Sequence, residues 1–386
     1  MPETLPIPLL SPAPELPVPV PELPAAKLAG RGRVTVEIRQ HVSGWYQGVV
    51  LACGLVVGIG LATAILVVSG VGLADLFQEF VVSMVTSRSS LAAVLVQAGP
   101  LAIVGLAAAV AFRVRFWNIG IEGQMILGAM AATAIAIHDV GPAPARLGLM
   151  MLAAALAGAA WVLIPAVLKI RIGLNEVIST LLLNYVAFNG LLQLLYGPWQ
   201  DPVSSFPNSK QYDLAERLGS LGWGDLTWAL PLAGLLTLLC WWLLNVSRFG
   251  FLSRVAEANP RLGEGQGLPM TRVMLAAALL SGALAGLAGF SICAGVEYRL
   301  TQSFFNGYGF SGILIAFLAR NNPLATFVTA VLVGVLYVVG QSLQVFYGIP
   351  SAMVQLIQAV IVIGVAASDF FLRHRVRWVP GRRPDV

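Results

Sequence analysis

Charge is scarce in this chain of 386 residues: Asp, Glu, Lys and Arg together make up 11% of it, against about 25% in soluble domains. Lysine occurs only as Lys27, Lys169 and Lys210, followed by Leu, Ile and Gln. A phosphate-cradling Gly-x-x-x-x-Gly-Lys-[Ser/Thr] loop is therefore excluded, and any ATP the protein uses must be bound by a partner. Histidine and cysteine are equally rare. His41, His138 and His374 make no ligand spacing, and Cys53, Cys240 and Cys293 fall inside apolar runs. Neither a disulfide framework nor a metal site is expected. The Gly-x-Ser-x-Gly elbow and the His-Glu-x-x-His pair are also missing, which removes the usual hydrolase signatures.

What fills the chain instead is apolar: 58% of residues are hydrophobic and the mean hydropathy is +0.82. One membrane-spanning helix needs about 20 apolar residues. Runs of that kind fall at 46–69, 91–112, 116–137, 147–168, 174–196, 226–246, 273–295, 304–319, 324–346 and 351–371. The pattern predicts an all-α integral membrane protein of about ten spans. The eighth run is the shortest and rich in glycine, which suits a broken or re-entrant span. The net charge of +5 is scattered over short inter-helix segments rather than gathered on one face, so nucleic acid is not an expected partner.

Basic residues orient the spans. With both termini cytoplasmic, inner segments hold 18 of the 23 Lys and Arg residues, and outer segments hold only Arg88, Arg146, Lys210, Arg217 and Arg299. That is the bias expected of a multi-pass protein in this orientation. Residues 1–45 form a Pro-rich and basic N-terminal arm, with nine prolines in its first 24 positions, a composition that builds no core. Its basic part, from Lys27 to Arg39, reads as a loop or short amphipathic segment. Residues 372–386 form a basic cytoplasmic tail. An outer loop at 197–225 is acidic and proline-bearing, and an inner loop at 247–272 is long, polar and basic.

A faint internal repeat links span three, Trp117-Asn118 followed by Gly120-x-x-Gly123, to span eight, Phe305-Asn306 followed by Gly309-x-x-Gly312. Five helices apart, the two must cross in opposite directions, as an inverted five-helix repeat requires. Irregular backbone at membrane depth must line a cavity or be buried in protein, so Gly120, Gly123, Gly309 and Gly312 are candidate gating positions.

Carboxylates inside apolar runs cost at least about 2.5 kcal/mol in hydrocarbon and face a cavity, a partner or the interface. They are Glu122, Glu176 and Asp369. Glu176 also suits a helix start, and Asp369 suits a pair with Arg373. With them, Asn118, Gln124, Asn175, Asn184 and Asn189 offer polar groups to a solute, although on the residues alone glue between helices is the stronger reading. The pairs Gly54-x-x-x-Gly58 and Ala153-x-x-x-Ala157 are small-residue faces that read as packing. In the inner loop, Ser253–Asn259 reads as a short helix stopped by Pro260, with Gly263, Gly265 and Gly267 as a flexible return. A helix carrying Arg254, Glu257 and Arg261 fits docking to a cytoplasmic partner better than an idle loop.

Four segments then carry a resemblance: FWNIGIEGQMILGAM (116–130), GLNEVISTLLLNYVA (173–187), RVAEANPRLGEGQGL (254–268) and GYGFSGILIAFLARNNPLA (307–325). They resemble the hallmark segments of ABC-importer permeases of the branched-chain amino acid, simple sugar and nucleoside branch. With YGPWQDPVSSFPNS (196–209), the chain looks most like permeases for purine and other nucleosides. Glu257-Ala258 departs from the Gly-Glu of many members, and the Pro-rich arm lies outside the pattern.

The resemblance implies a type II importer core over 46–371 in the bacterial cytoplasmic membrane. No cofactor would be resident, ATP and Mg being held by a cytoplasmic ABC ATPase. It also implies a second, related permease as heterodimer partner, an external substrate-binding protein and a small-molecule nucleoside as solute. The loop helix with Arg254, Glu257, Asn259 and Pro260 would be the coupling helix seated in the ATPase. Asn118, Glu122, Gln124, Asn175, Glu176 and Asn184 would be candidates for the translocation path, and 197–225 a contact for the binding protein. Such a subunit makes and breaks no bond. A simple-sugar permease is the nearest alternative. An ion-coupled secondary transporter using Glu122 and Glu176 also fits the repeat, but leaves the loop helix without a purpose.

Overall fold

The computed structural model describes residues 33–38, 43–83, 86–305 and 307–379. The Pro-rich stretch 1–24, Lys27, Arg31, Arg39, Asn306 and the tail beyond 379 lie outside the described residues, as do the Asp369 and Arg373 side chains. In chain order the helices are α1 (Gly44–Val68), α2 (Leu73–Phe77), α3 (Arg88–Arg113), α4 (Ile121–Ile137), α5 (Ala143–Ile172), α6 (Glu176–Leu195) and α7 (Ala229–Asn245). There follow α8 (Arg248–Ala258), α9 (Pro260–Gly265), α10 (Met270–Ile292), α11 (Tyr308–Leu318), α12 (Pro323–Tyr347) and α13 (Ser351–Arg373).

Every apolar run is helical, but not every helix crosses alone. Seven are long and apolar enough to span a membrane, and an eighth if α7 and α8, bent by 69° at their junction, count as one. The short ones are α4 with 17 residues and α11 with 11. At about 1.5 Å per residue they reach roughly 26 and 16 Å, less than a hydrocarbon core of about 30 Å. The shortness of α11 follows the sequence; that of α4 does not.

The bundle is organised around α3, whose residues Ala98 to Ala111 are all buried. Small residues set the closest crossings. Gly158 on α5 meets Gly282 and Gly286 on α10, and Gly286 lies on the Ala154 carbonyl, leaving no room for a β-carbon. The packing pair is therefore Ala154 and Gly158, one residue on from the expected Ala153 and Ala157. Backbones this close gain dispersion contacts that bulkier residues would prevent. At the periphery Gly54 and Gly58 on α1 pack against Ser368, Gly364 and Ile361 on α13. This is the small-residue face expected of α1.

Outside the helices, β1 (Arg33–Ile38) pairs antiparallel with β2 (His374–Val379), Arg33 opposite Val379 and Ile38 opposite His374. This corrects the reading of the basic N-terminal segment as a loop or amphipathic stretch. Val34-Thr35-Val36 and Val376 bring β-branched residues that favour a pleated ribbon over a loop. The pairing fixes the start of α1 and the end of α13 at one end of the bundle. Arg320, just after α11, donates to Gln47 at 3.5 Å at that same end.

Candidate functional site

The two short helices meet at their starts. The Gly309 Cα, on α11, is so close to Glu122, on α4, that an added methyl would overlap the glutamate Cγ and lie 3.0 Å from its backbone nitrogen. At the other end of α11, Phe317 stacks on Trp117 with centroids 5.8 Å apart. The helices thus run in opposite directions, and eight residues of α11 separate the two contacts. Glu122 therefore lies roughly 12 Å deeper than Trp117 at 1.5 Å per residue.

Glu122 is singled out by its partners. Its carboxylate faces the backbone N–H groups of Gly309 and Phe310, where the positive end of α11 favours an anion. Its Oε1 is buried without a hydrogen-bond partner. Among the described residues no Lys or Arg pairs with it. Beside it opens a cavity of about 290 Å³, walled by the rings of Tyr185, Phe188, Phe305 and Phe310 and by Asn184. One carboxylate, one amide and four rings suit a flat solute with polar edges, since aromatic faces stack and the polar groups fix orientation.

The other candidates are bound into the protein. Asn118 and Gln124 exchange amide hydrogen bonds at 2.9 and 2.8 Å, and Asn118 donates a second to Ser281 Oγ at 3.0 Å. Both are almost completely buried, so the pair latches the 116–124 turn to α10. Asn175 caps α6, accepting from Val177 N–H at 2.9 Å. Glu176 forms an ion pair with Lys169 and accepts from Trp117 N–H at 3.5 Å. Asn184 clamps α6 to α4, accepting from Gly123 N–H at 2.8 Å and donating to the Ile119 carbonyl at 3.2 Å. The glycines are contact points. Gly120 lies against the Thr180 carbonyl, Gly123 against Asn184, and Gly312 against Val104.

At the end of the bundle near Trp117, α8 buries Gly250, Ser253 and Ala256 on one face. It presents Arg254, Glu257 and Asn259 outward. Asn259 ends α8 and caps α9, accepting from Leu262 N–H at 3.2 Å. Pro260 then stands at the first position of α9, where its fixed φ and missing N–H are tolerated. The expected helix thus begins earlier, at Arg248, and resumes after Asn259 instead of returning as a flexible glycine loop. Phe251 and Leu262 are exposed, at 57% and 63%. Arg115 bolts α8 to the lead-in of α4, donating from Nε to the Glu257 carbonyl at 2.8 Å and from Nη2 to the Ala258 carbonyl at 3.1 Å. Its backbone sits at φ +57°, a region unusual for arginine.

At the opposite end, the loop 196–228 is strapped to the segment that enters α11. Ser209, Tyr212 and Leu218 donate backbone N–H groups to the carbonyls of Leu300, Tyr298 and Ala294 at 2.8–2.9 Å. Tyr212 is buried to 1% exposure and its hydroxyl meets Thr133 Oγ1 at 2.6 Å. Burial pushes this hydroxyl well above the usual tyrosine range.

Sequence reasoning missed the ring of aromatics, Arg115, Phe251 and Leu262. Phe305 and Phe310 flank the start of the short α11 in sequence and Tyr185 and Phe188 share a face at spacing three. That spacing was the available signal.

Known proteins of similar sequence are transport subunits. The chain is 34% identical over 88% of its length, and 92% of the relative's, to a glucose ABC transporter permease of Haloferax volcanii. It is 30% identical over 85% of its length, and 94% of the relative's, to a guanosine ABC transporter permease of Bacillus subtilis. A nucleoside ABC transporter permease of Lactococcus lactis matches at 26% over 75% of this chain and 82% of that one. Residues 90–366, which contain the Glu122 cavity, the Arg115 bolt and α8, match the family model of the permease component of the branched-chain amino acid transport system. The chain belongs to that family: it is a multi-pass ABC transporter permease, a translocation subunit rather than an enzyme.

Proposed function

We propose that the chain is the permease of a nucleoside importer in the bacterial cytoplasmic membrane, working as a heterodimer with a second, related permease. The observation that carries this reading is the Glu122 cavity. Four aromatic walls accept a nucleobase by stacking, and the Glu122 carboxylate in the lining, with the remaining N–H and lone pair of the Asn184 amide, can meet its polar edge. The guanosine and nucleoside permeases among its relatives support this choice.

In this reading both termini are cytoplasmic, α8 and α9 form the coupling unit seated in a cytoplasmic ATPase, and the loop 197–225 meets an external binding protein. Arg254, Glu257, Asn259 and Pro260 shape the seat, while Phe251 and Leu262 supply its apolar contact. ATP binding in the partner draws α8, Arg115 passes that motion to residues 116–120, and the start of α4 shifts against α11. Gly120, Gly123, Gly309 and Gly312 are the pivots, because each lies directly against a neighbouring residue with no room for a β-carbon of its own. Asn118, Gln124, Asn175 and Glu176 position the path, and Glu122 and Asn184 touch the solute. A second reading, a sugar permease, is favoured by the glucose relative at 34% identity.

The test is ATPase activity of the complex reconstituted with its ATPase, second permease and binding protein, titrated with guanosine, adenosine, uridine, glucose, ribose and leucine. Stimulation by nucleosides at lower concentrations than by glucose or ribose is expected. Stimulation by sugars alone would replace the reading with the second one.

A further inference from the structure

The hairpin formed by α12 and α13 carries four glutamines that no role above uses. Gln341 and Gln344 stand three apart on α12, Gln355 and Gln358 three apart on α13, with the turn at 348–350 between the helices. A spacing of three puts each pair on one helix face. Counted from the turn, all four lie roughly 6–12 Å along their helices at 1.5 Å per residue.

They line a cavity of about 460 Å³, within the range of roughly 300–1,000 Å³ typical of small-molecule sites. Its remaining polar lining is the Ser311 and Tyr337 hydroxyls, hydrogen-bonded to each other at 3.0 Å. No Asp, Glu, Lys or Arg is among its described lining residues. Phe310 lines both this cavity and the Glu122 cavity, so one ring stands between the two.

Helix-to-helix glue does not account for the glutamines. None of the four amides makes a hydrogen bond among the described residues, although all sit in helices long and apolar enough to cross a membrane. Gln341 and Gln355 are exposed and Gln344 and Gln358 half-buried, so the amides open onto the cavity, where an occupant that donates and accepts hydrogen bonds would match them at membrane depth. Each amide both donates and accepts, as does a sugar hydroxyl, and an array of both kinds at fixed spacing matches a polyol. A phosphorylated solute, carrying about −1.5 to −2 charge, would find no counter-charge here.

We propose that the amide-lined cavity is a second solute station, taking the hydroxyls of an uncharged sugar or of a nucleoside's ribose, with Phe310 as the partition between it and the Glu122 cavity. The proposal rests on the permease reading above.

Its test uses the full complex carrying Cys53→Ala, which removes the exposed native thiol and leaves the buried Cys240 and Cys293. Gln358→Cys is added, and modification by a small methanethiosulfonate reagent is timed with adenosine, ribose, glucose, adenine or AMP present. Gln355→Cys, at the exposed rim, is the second variant should the first not assemble. Protection by adenosine, ribose or glucose is expected to reach about tenfold at ten times the half-protecting concentration, as simple occupancy requires. Adenine and AMP should give none. Protection by adenosine without ribose or glucose assigns the station to a nucleoside, and the reverse assigns it to a free sugar. In parallel, Gln341→Leu and Gln344→Leu should each raise the transport KM about 2- to 10-fold, the loss of one neutral hydrogen bond.

If the wild-type complex is stimulated by solute but neither cysteine is protected by any of them, the station is overturned and the permease reading stands. Protection that depends on the second permease and not on solute makes this face an interface and also overturns it. A wild-type complex that responds to no solute removes both readings together.

Discussion

Gly309 and Glu122 touch where two short helices begin, and the glycine has no side chain because the glutamate Cγ occupies the place of its β-carbon. One contact thus closes the gap between α4 and α11 and holds a half-buried carboxylate against the first N–H groups of α11.

Gly309→Ala is expected to force the two starts apart. Overpacking of this kind costs about 1–3 kcal/mol, read as lower thermal stability in detergent, and solute uptake should fall with it. Gly190→Ala is the control, since nothing lies within 4 Å of a β-carbon there. It should leave stability unchanged or slightly raised, alanine being the better helix residue by about 0.5–1 kcal/mol.

Glu122→Gln keeps the size of the side chain but removes its charge and replaces one of its two acceptor oxygens, beside the N–H groups of Gly309 and Phe310, with a donor. Hydrogen bonds to charged groups are worth about 1.5–3 kcal/mol, so solute-stimulated ATPase should need about 10- to 100-fold more solute. Basal ATPase and complex assembly should not change. An unchanged solute requirement would remove Glu122 from the path.

Arg115→Asn removes the bolt to the carbonyls of Glu257 and Ala258 without straining the backbone, because asparagine tolerates positive φ. The expected outcome is uncoupling: ATP hydrolysis near the wild-type rate with more ATP spent per solute moved. The measurement is the ratio of phosphate released to solute taken up by proteoliposomes. A fall of both rates in step would show a bolt that serves stability alone.

Asn118→Ala leaves the buried Gln124 amide without its partner, while the Ser281 hydroxyl keeps its donation to the Ala107 carbonyl at 2.6 Å. Its cost should be about 1–3 kcal/mol, and the double variant Asn118→Leu with Gln124→Leu should recover part of it, since removing both partners leaves fewer unsatisfied groups. Thermal unfolding of the wild type, Asn118→Leu, Gln124→Leu and the double variant measures the coupling.

Much of this molecule is legible in its sequence. Ten apolar runs become ten helices, and the Glu122 and Gly309 neighbourhoods emerge together as irregular starts because Gly, Asn and Glu interrupt hydrophobicity locally. The break at Asn259-Pro260 is also local chemistry: a cap followed by a proline. What the sequence hides is tertiary. Whether Asn118 faces a solute or Gln124 depends on how the 116–124 turn folds on α10, and neither residue's periodicity states it. The shortness of α4 escapes because Phe116, Trp117 and Ile119 carry the apolar run across the interruption and hide where the helix begins. The β1–β2 pairing joins segments more than 300 residues apart, and no window of sequence connects them.

The most direct measurement is uptake of radiolabelled guanosine by proteoliposomes holding the complete complex, energised either by enclosed ATP or by an imposed proton gradient. Uptake with ATP alone, abolished when the ATPase is omitted and weakened by Glu122→Gln, is the expected result. Uptake driven by the gradient without ATP would contradict an ATP-coupled permease and make Glu122 a proton site instead.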